Sequence, residues 1–259
     1  MSWNIGNVEI KNCVALAPMA GISNPAYIKI CEEMGVGYAV TELISAEAIV
    51  RGNKKTLEML NGIDQLNIPV AVQIFGSNPD TMAKASRILV DLHQIRLIDI
   101  NMGCPVKKLI QNHSGAMLMQ DQDLACRLVE AVKKQTHLPV SIKTRLGWCD
   151  EKEILGFAPQ LVAAGADRIE VHARTKEQGY TGKAHWSILK KLNIAVPIVV
   201  NGDIVNHQTA LQALKESGAE AVMVGRALLG HPWRLTEIEQ DKNIILKENG
   251  FIQYTNYYL

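Results

Sequence analysis

The residues of this 259-residue chain best placed to do chemistry surround Cys104. The stretch Leu97-Ile-Asp-Ile-Asn-Met-Gly-Cys-Pro-Val-Lys-Lys108 opens as a buried strand and breaks at Gly103. It then puts the thiol on a loop stiffened by Pro105, with two lysines following. A thiol at a strand exit with positive charge beside it is where a reactive cysteine is placed. It could protonate a carbanion as a general acid or, as thiolate, attack an electrophilic carbon; the residues alone leave both open. Cys13, Cys31 and Cys126 fall in strand or helix patterns and read as small buried hydrophobes, while Cys149 follows Trp148 at a loop edge.

Further polar groups end apolar runs. Gln73, Asn101, Lys143, His172 and Asn201 do so, one each on the third to seventh strands. A lone Gln or Asn there reads as a satisfied polar residue. Five in one relative position, with a Lys and a His that are costly to bury unpaired, read as a site. Lys143 and Arg145 share a strand face by two-residue alternation, as do His172 and Arg174. Four cationic or potentially cationic groups at one mouth call for an anion. Asn201-Gly-Asp203 after the seventh strand and Gly225-Arg226 after the eighth offer a phosphate site. Glycine lets the backbone approach closely, and Arg226 can fork onto phosphate oxygens. The set predicts a phosphorylated cofactor.

Eight strands must carry these residues. Strand-like runs at 14–18, 38–43, 70–75, 97–101, 140–145, 168–172, 198–201 and 221–225 alternate with helical patterns. Asn24-Pro25 is an N-cap with Pro at the first helical position; Tyr27, Ile30, Cys31 and Met34 form the stripe and Gly35 stops it. Ile154, Ala158, Leu161 and Val162 form a second stripe closed by Gly165, and Ala210, Leu211 and Leu214 a third closed by Gly218. Such alternation gives parallel βαβ units, and eight of them match an α/β fold of the (β/α)8 TIM-barrel type, typically about 250 residues. A doubly wound sheet is the competing architecture, but no G-x-G-x-x-G follows the first strand. Residues 1–233 read as the barrel, with a short hairpin at 5–10 sealing its bottom. Residues 234–259 read as a short C-terminal tail, aromatic-rich at 251–259.

With 27 basic and 26 acidic residues, no global field argues for nucleic acid or membrane. The apolar runs are too short for a transmembrane helix, and the first residues lack a signal peptide's regions. Five cysteines without framework spacing predict a reduced, cytoplasmic chain. No CxxC or Cys/His cluster has metal-site spacing, so no metal is expected. A monomer is the expected state.

The motifs, in order, resemble those of the tRNA-dihydrouridine synthase family, of the bacterial flavin-dependent type, from about residue 10 to residue 233. They are Leu16-Ala-Pro-Met-Ala-Gly-Ile-Ser-Asn-Pro25, Thr41-Glu-Leu-Ile-Ser45, Asn101-Met-Gly-Cys-Pro105, Ser114-Gly-Ala116, Ile142-Lys-Thr-Arg-Leu-Gly-Trp148, Val171-His-Ala-Arg-Thr175, Asn201-Gly-Asp203 and Gly225-Arg226. The resemblance implies an FMN-containing barrel that reduces the 5,6 double bond of uridines in tRNA, with NADPH (or NADH) re-reducing the flavin. It places Pro18, Met19 and Ala20 along the flavin ring, Gln73 and Lys143 at its polar edge, and His172 near flavin or uracil. Asn201, Gly202, Asp203, Gly225 and Arg226 then hold the ribityl phosphate. Cys104 becomes the general acid, protonating C5 while hydride reaches C6. Asn101, Arg145, Arg174, Lys107 and Lys108 fall to the substrate.

Two departures from the family stand out. His113 occupies a position where a glycine is expected before Ser114-Gly115. Family members also continue into a helical domain that grips tRNA, whereas this chain ends at Leu259. The sequence therefore predicts a truncated C-terminal extension, with RNA contacts left to loop lysines. Alternative readings are an FMN oxidoreductase acting on a small pyrimidine or enone, a catalytically impaired fragment, and an RNA-binding remnant that keeps only the fold.

Overall fold

Runs rich in Val, Ile and Ala, bounded by Gly, Pro and Asn, form the strands because branched side chains suit a pleated backbone. The computed structural model describes residues 2–93 and 95–241. A hairpin, β1 (Trp3–Ile5) and β2 (Val8–Ile10), comes first. There follow β3 (Val14–Leu16), β4 (Tyr38–Val40), the short β5 (Ile44–Ser45), β6 (Val70–Phe75) and β7 (Leu97–Asn101). The last four are β8 (Val140–Arg145), β9 (Arg168–His172), β10 (Ile198–Asn201) and β11 (Ala221–Val224). The neighbour order is β4-β3-β11-β10-β9-β8-β7-β6, and β4 pairs with β6 to close the ring. The ring pairings are parallel. This is the (β/α)8 barrel that the strand spacing predicts. The ranges of β6 to β10 match the sequence reading residue for residue. The others stop earlier, β3 because Pro18 cannot donate to a ladder.

Helices connect the strands: α1 (Pro25–Glu33), α2 (Ala46–Val50), α3 (Lys54–Glu58), α4 (Pro79–Leu92), α5 (Lys107–Gln111) and α6 (Gln122–Gln135). Then come α7 (Ile154–Ala163), α8 (His207–Ser217) and α9 (Arg234–Gln240). Asn24 caps α1 by accepting from the Tyr27 N–H at 3.0 Å, and Asn78 and Asn206 cap α4 and α8 in the same way. Two readings need correction. On α8 the buried face is Ala210, Ala213 and Ser217, and Leu211, one residue round the helix, is 54% exposed. After β9 no α-helix forms among the described residues; a 3-10 turn, Trp186–Lys191, replaces it because a long glycine-containing loop takes up the crossover. The tail expected from residue 234 begins as α9, with Leu235 and Ile238 buried; residues 251–259 lie outside the described residues.

The core has two compartments. The larger lies between strands and helices. The smaller fills the lower barrel interior, where Ile5 and Ile10 of the hairpin meet Ala15, Tyr38, Leu97, Val199 and Ala221. Above it, β6 to β9 turn polar side chains into the barrel: Gln73, Asp99, Ser141, Arg168 and Glu170 are all fully buried. That layer underlies the C-terminal mouth.

Candidate active site

A cavity of about 630 Å³ occupies the mouth. Cys104 lies on its rim, half-buried, and its loop is tied at both faces. Asn101 Oδ1 accepts from the N–H groups of Gly103 and Cys104 at 3.3 and 3.0 Å. The Cys104 carbonyl accepts from the Ala116 N–H at 3.0 Å. Gly115 makes that bond possible: its φ is +62°, and a Cβ there would sit 2.7 Å from the Cys104 oxygen. His113, just before it, also has left-handed backbone, with φ +51°. A glycine would adopt this backbone without strain. The cation tied to this loop is Arg145, whose Nε donates to the Gly103 carbonyl at 2.8 Å. Lys107 and Lys108 are exposed on α5 and do not line the cavity.

Below the rim runs a buried network. Asn101 Nδ2 donates to Gln73 Oε1 at 2.7 Å, and Gln73 Nε2 donates to Asp99 Oδ2 at 2.7 Å. Arg168 Nη2 lies 3.4 Å from Asp99 Oδ1 and 3.2 Å from Glu170 Oε2. Its guanidinium also stacks 4.6 Å from the Tyr38 ring centroid. Lys143 Nζ is 3.6 Å from Glu170 Oε1 and donates to Asn201 Oδ1 at 3.2 Å. Burial raises Asp99 above its ordinary value and pushes Glu170 up to about 7, with Arg168 and Lys143 opposing in the latter case. Burial lowers Lys143, with Glu170 as the main opposing partner. The anion called for by the crowded cations is thus partly internal: Asp99 and Glu170 answer Arg168 and Lys143.

The outer layer keeps its positive charge. Burial, then the cations Lys143, Arg145, Arg174 and Arg226, hold His172 down to about 2, so it is neutral. Arg145 Nη1 donates to the carbonyls of Thr175 and Gly179, each at 3.0 Å. Arg174 is taken up by Asp203, donating to both carboxylate oxygens at 2.9 and 2.8 Å, and by the carbonyls of Thr181 and Gly182. These bonds fold the loop after β9 over the mouth and present Tyr180, which is 58% exposed. The Tyr180 ring lies 4.1 Å from Arg226 Cζ and 5.8 Å from Arg145 Cζ. No carboxylate among the described residues pairs with Arg226. Gly202 has φ +112°, and a Cβ there would meet His172 Cδ2 at 2.9 Å. Asp203 follows in left-handed backbone at φ +58°. Its carboxylate is engaged by Arg174 and the Ala184 N–H, so the backbone of this turn is what it offers the cavity.

Of the residues singled out in the sequence, Pro18, Met19, Ala20, Gln73, Asn101, Cys104, Lys143, Arg145 and His172 line the cavity, with Asn201, Gly202, Asp203, Gly225 and Arg226. Arg174, Lys107 and Lys108 do not. Sequence reasoning missed Asp99, Ser141, Arg168 and Glu170, although each lies two residues before a strand-end residue or two before that, on the same face. It also missed Tyr180, signalled only by an aromatic between Gly179 and Gly182. Among the described residues no group of His, Cys, Asp or Glu is placed to hold a metal, and no helix is long and apolar enough to cross a membrane.

Fold and cavity define a (β/α)8-barrel enzyme with its chemistry at the C-terminal mouth. Residues 15–255 match the family described as Dihydrouridine synthase (Dus). A tRNA-dihydrouridine synthase B of Xanthomonas axonopodis pv. citri is 39% identical over 237 residues, 90% of this chain and 71% of its own. A probable tRNA-dihydrouridine synthase of Rhodobacter capsulatus is 38% identical over 241 residues, 92% of this chain and 74% of its own. The chain belongs to the dihydrouridine synthase family. A solved 2-naphthoyl-CoA reductase complex shares the fold, with a TM-score of 0.71 at 12% identity, over 90% of this chain and 50% of that one.

Proposed function

We propose that this chain reduces the 5,6 double bond of uridine in tRNA, with FMN as its flavin and NADPH as reductant. One observation carries the reading: seven of the eight family motifs contribute residues to a single cavity, and the eighth, at 114–116, braces the Cys104 carbonyl. The donor set fits FMN. Gly202 and Gly225 let the two turns pack against His172 and Ala17, where a Cβ would collide, and Arg226, without a carboxylate partner among the described residues, suits a phosphate. Pro18, Met19 and Ala20 supply apolar lining, and Gln73 and Lys143 supply donors. When bound, the flavin supplies the hydride that saturates C6 of uracil.

The chain's own groups do the rest. Cys104 gives its thiol proton to C5, because its loop holds the sulfur on the cavity rim rather than free in solvent. Asn101 and Arg145 offer donors for charge developing on the uracil carbonyls. Arg174 acts through Asp203 by fixing the phosphate turn. Lys107 and Lys108, exposed beside the mouth, meet RNA phosphates. The uridine is drawn out of the tRNA fold at a cost of a few kcal/mol. The test is mass spectrometry of unmodified tRNA and of free uridine monophosphate after incubation with protein, FMN and NADPH. A gain of two hydrogens on tRNA alone supports the proposal. Reduction of the mononucleotide with tRNA untouched would make this a small-molecule oxidoreductase, and no reduction of either would overturn it.

A further inference from the structure

Gln73 and Asn101 carry side-chain amides, which offer a carbonyl at one end and two N–H donors at the other and could point either way. Both ends of their run are fixed by groups with no such choice. At one end the backbone N–H groups of Gly103 and Cys104 can only donate, and they meet Asn101 Oδ1. At the other, Asp99 Oδ2 receives Gln73 Nε2. Every other partner of that carboxylate also donates to it: Ser141 Oγ at 2.5 Å and Arg168 Nη2 at 3.4 Å. Between the ends, Asn101 Nδ2 donates to Gln73 Oε1. The run therefore has one direction, from the Cys104 loop down to Asp99, and each amide keeps one N–H over. Both residues line the cavity.

We propose that Asp99 is a positioning residue that sets the direction of this amide run. In doing so it braces the Cys104 loop and leaves Gln73 and Asn101 offering N–H donors to a carbonyl-type acceptor edge of the ligand. The identity of that edge, flavin or uracil imide carbonyls, rests on the proposed function; the direction of the run does not. With Asp99→Asn, the new amide keeps its oxygen toward Arg168 and Ser141 and turns its N–H₂ to Gln73. A donor then faces a donor somewhere along the run, and one bond is lost. Combining Asp99→Asn with Gln73→Glu restores direction and charge, because the carboxylate at position 73 accepts from both sides. It also removes the spare N–H at position 73.

Two readouts separate these effects. One is the alkylation rate of Cys104 in cofactor-free protein, followed by peptide mass spectrometry; the other is the FMN dissociation constant from flavin fluorescence. Asp99→Asn is expected to speed alkylation by about threefold or more and to weaken FMN by about tenfold, the effect of one lost buried bond. The double variant is expected to return alkylation to about the wild-type rate while FMN stays weak. A role confined to stability would move both readouts together. Unchanged alkylation in Asp99→Asn overturns the proposal, and so does a double variant that rescues both readouts or neither. If Asp99→Asn does not fold, a folded double variant with normal alkylation supports the proposal, and an unfolded one overturns it. Wild-type protein that binds no FMN would refute the proposed function, while the alkylation arm would still decide the role of Asp99.

Discussion

At the residue scale, Cys104 depends on position. Asn101, Ala116 and Arg145 fix its loop, and none of them replaces the thiol proton. Cys104→Ala is expected to slow uridine reduction by about a hundredfold or more, the usual reach of a general acid, while NADPH still reduces bound flavin. Stopped-flow bleaching of the flavin alongside a tRNA turnover assay checks this; near-normal turnover on tRNA would move the acid elsewhere. His113 makes a second prediction. It is exposed and left-handed, so His113→Gly should relieve about 1 kcal/mol of backbone strain. For a chain of this size that raises Tm by roughly 2–4 °C, read by thermal melting. A lower Tm would mean that the imidazole makes up for its own backbone.

At the scale of elements, the turn after β10 is the most constrained. Gly202 combines φ +112° with a 2.9 Å approach to His172, so Gly202→Ala must both strain the turn and push the ring. The expected cost is about 3 kcal/mol, seen as an earlier urea midpoint, together with loss of FMN retention. Full retention at unchanged stability would remove this turn from the cofactor site. The loop after β9 is the other device. Arg145 and Arg174 each give two hydrogen bonds to its carbonyls, which is why two arginines legible as site residues act first as loop anchors.

For the whole molecule, two buried groups titrate against each other. Glu170 has its folded value raised to about 7 from 4.5, so its contribution to stability is full below about 4.5 and lost as pH rises through 7. His172 is held down to about 2 from 6.5, so its contribution is present above 6.5 and lost as pH falls below that. Between 4.5 and 6.5 the two oppose. His172→Gln should therefore become more stable as pH is lowered from about 7 to about 5, and Glu170→Gln less stable over the same range. Melting temperatures at the two pH values check the signs; parallel curves would mean that neither group titrates as described. Net charge is +1, so RNA affinity must be local. The lysines at 107, 108, 176 and 183 follow β7 and β9. About four phosphate contacts give a log–log salt slope near −3 for tRNA binding, shallower in Lys107→Glu/Lys108→Glu. Salt-independent binding would place the RNA elsewhere.

The sequence by itself determined the barrel, the hairpin beneath it, the Asn24 cap of α1 and the ranges of β6 to β10. These follow from local rules: two-residue alternation, Asn before Pro, glycine after a helix, a thiol between Gly103 and Pro105. It also determined family membership, since motif identity and order are properties of the string. Tertiary structure decided which charges meet. Asp99 on β7 and Lys143 on β8 are far in sequence from Arg168 and Glu170 on β9, and the register of three neighbouring strands makes them one buried layer. It decided too that Arg174 faces Asp203 and that Tyr180 stands over the mouth, because a loop's path is set by the bonds it finds. Local propensity carries no term for a partner 70 residues away, and in this protein the chemistry is arranged by such partners.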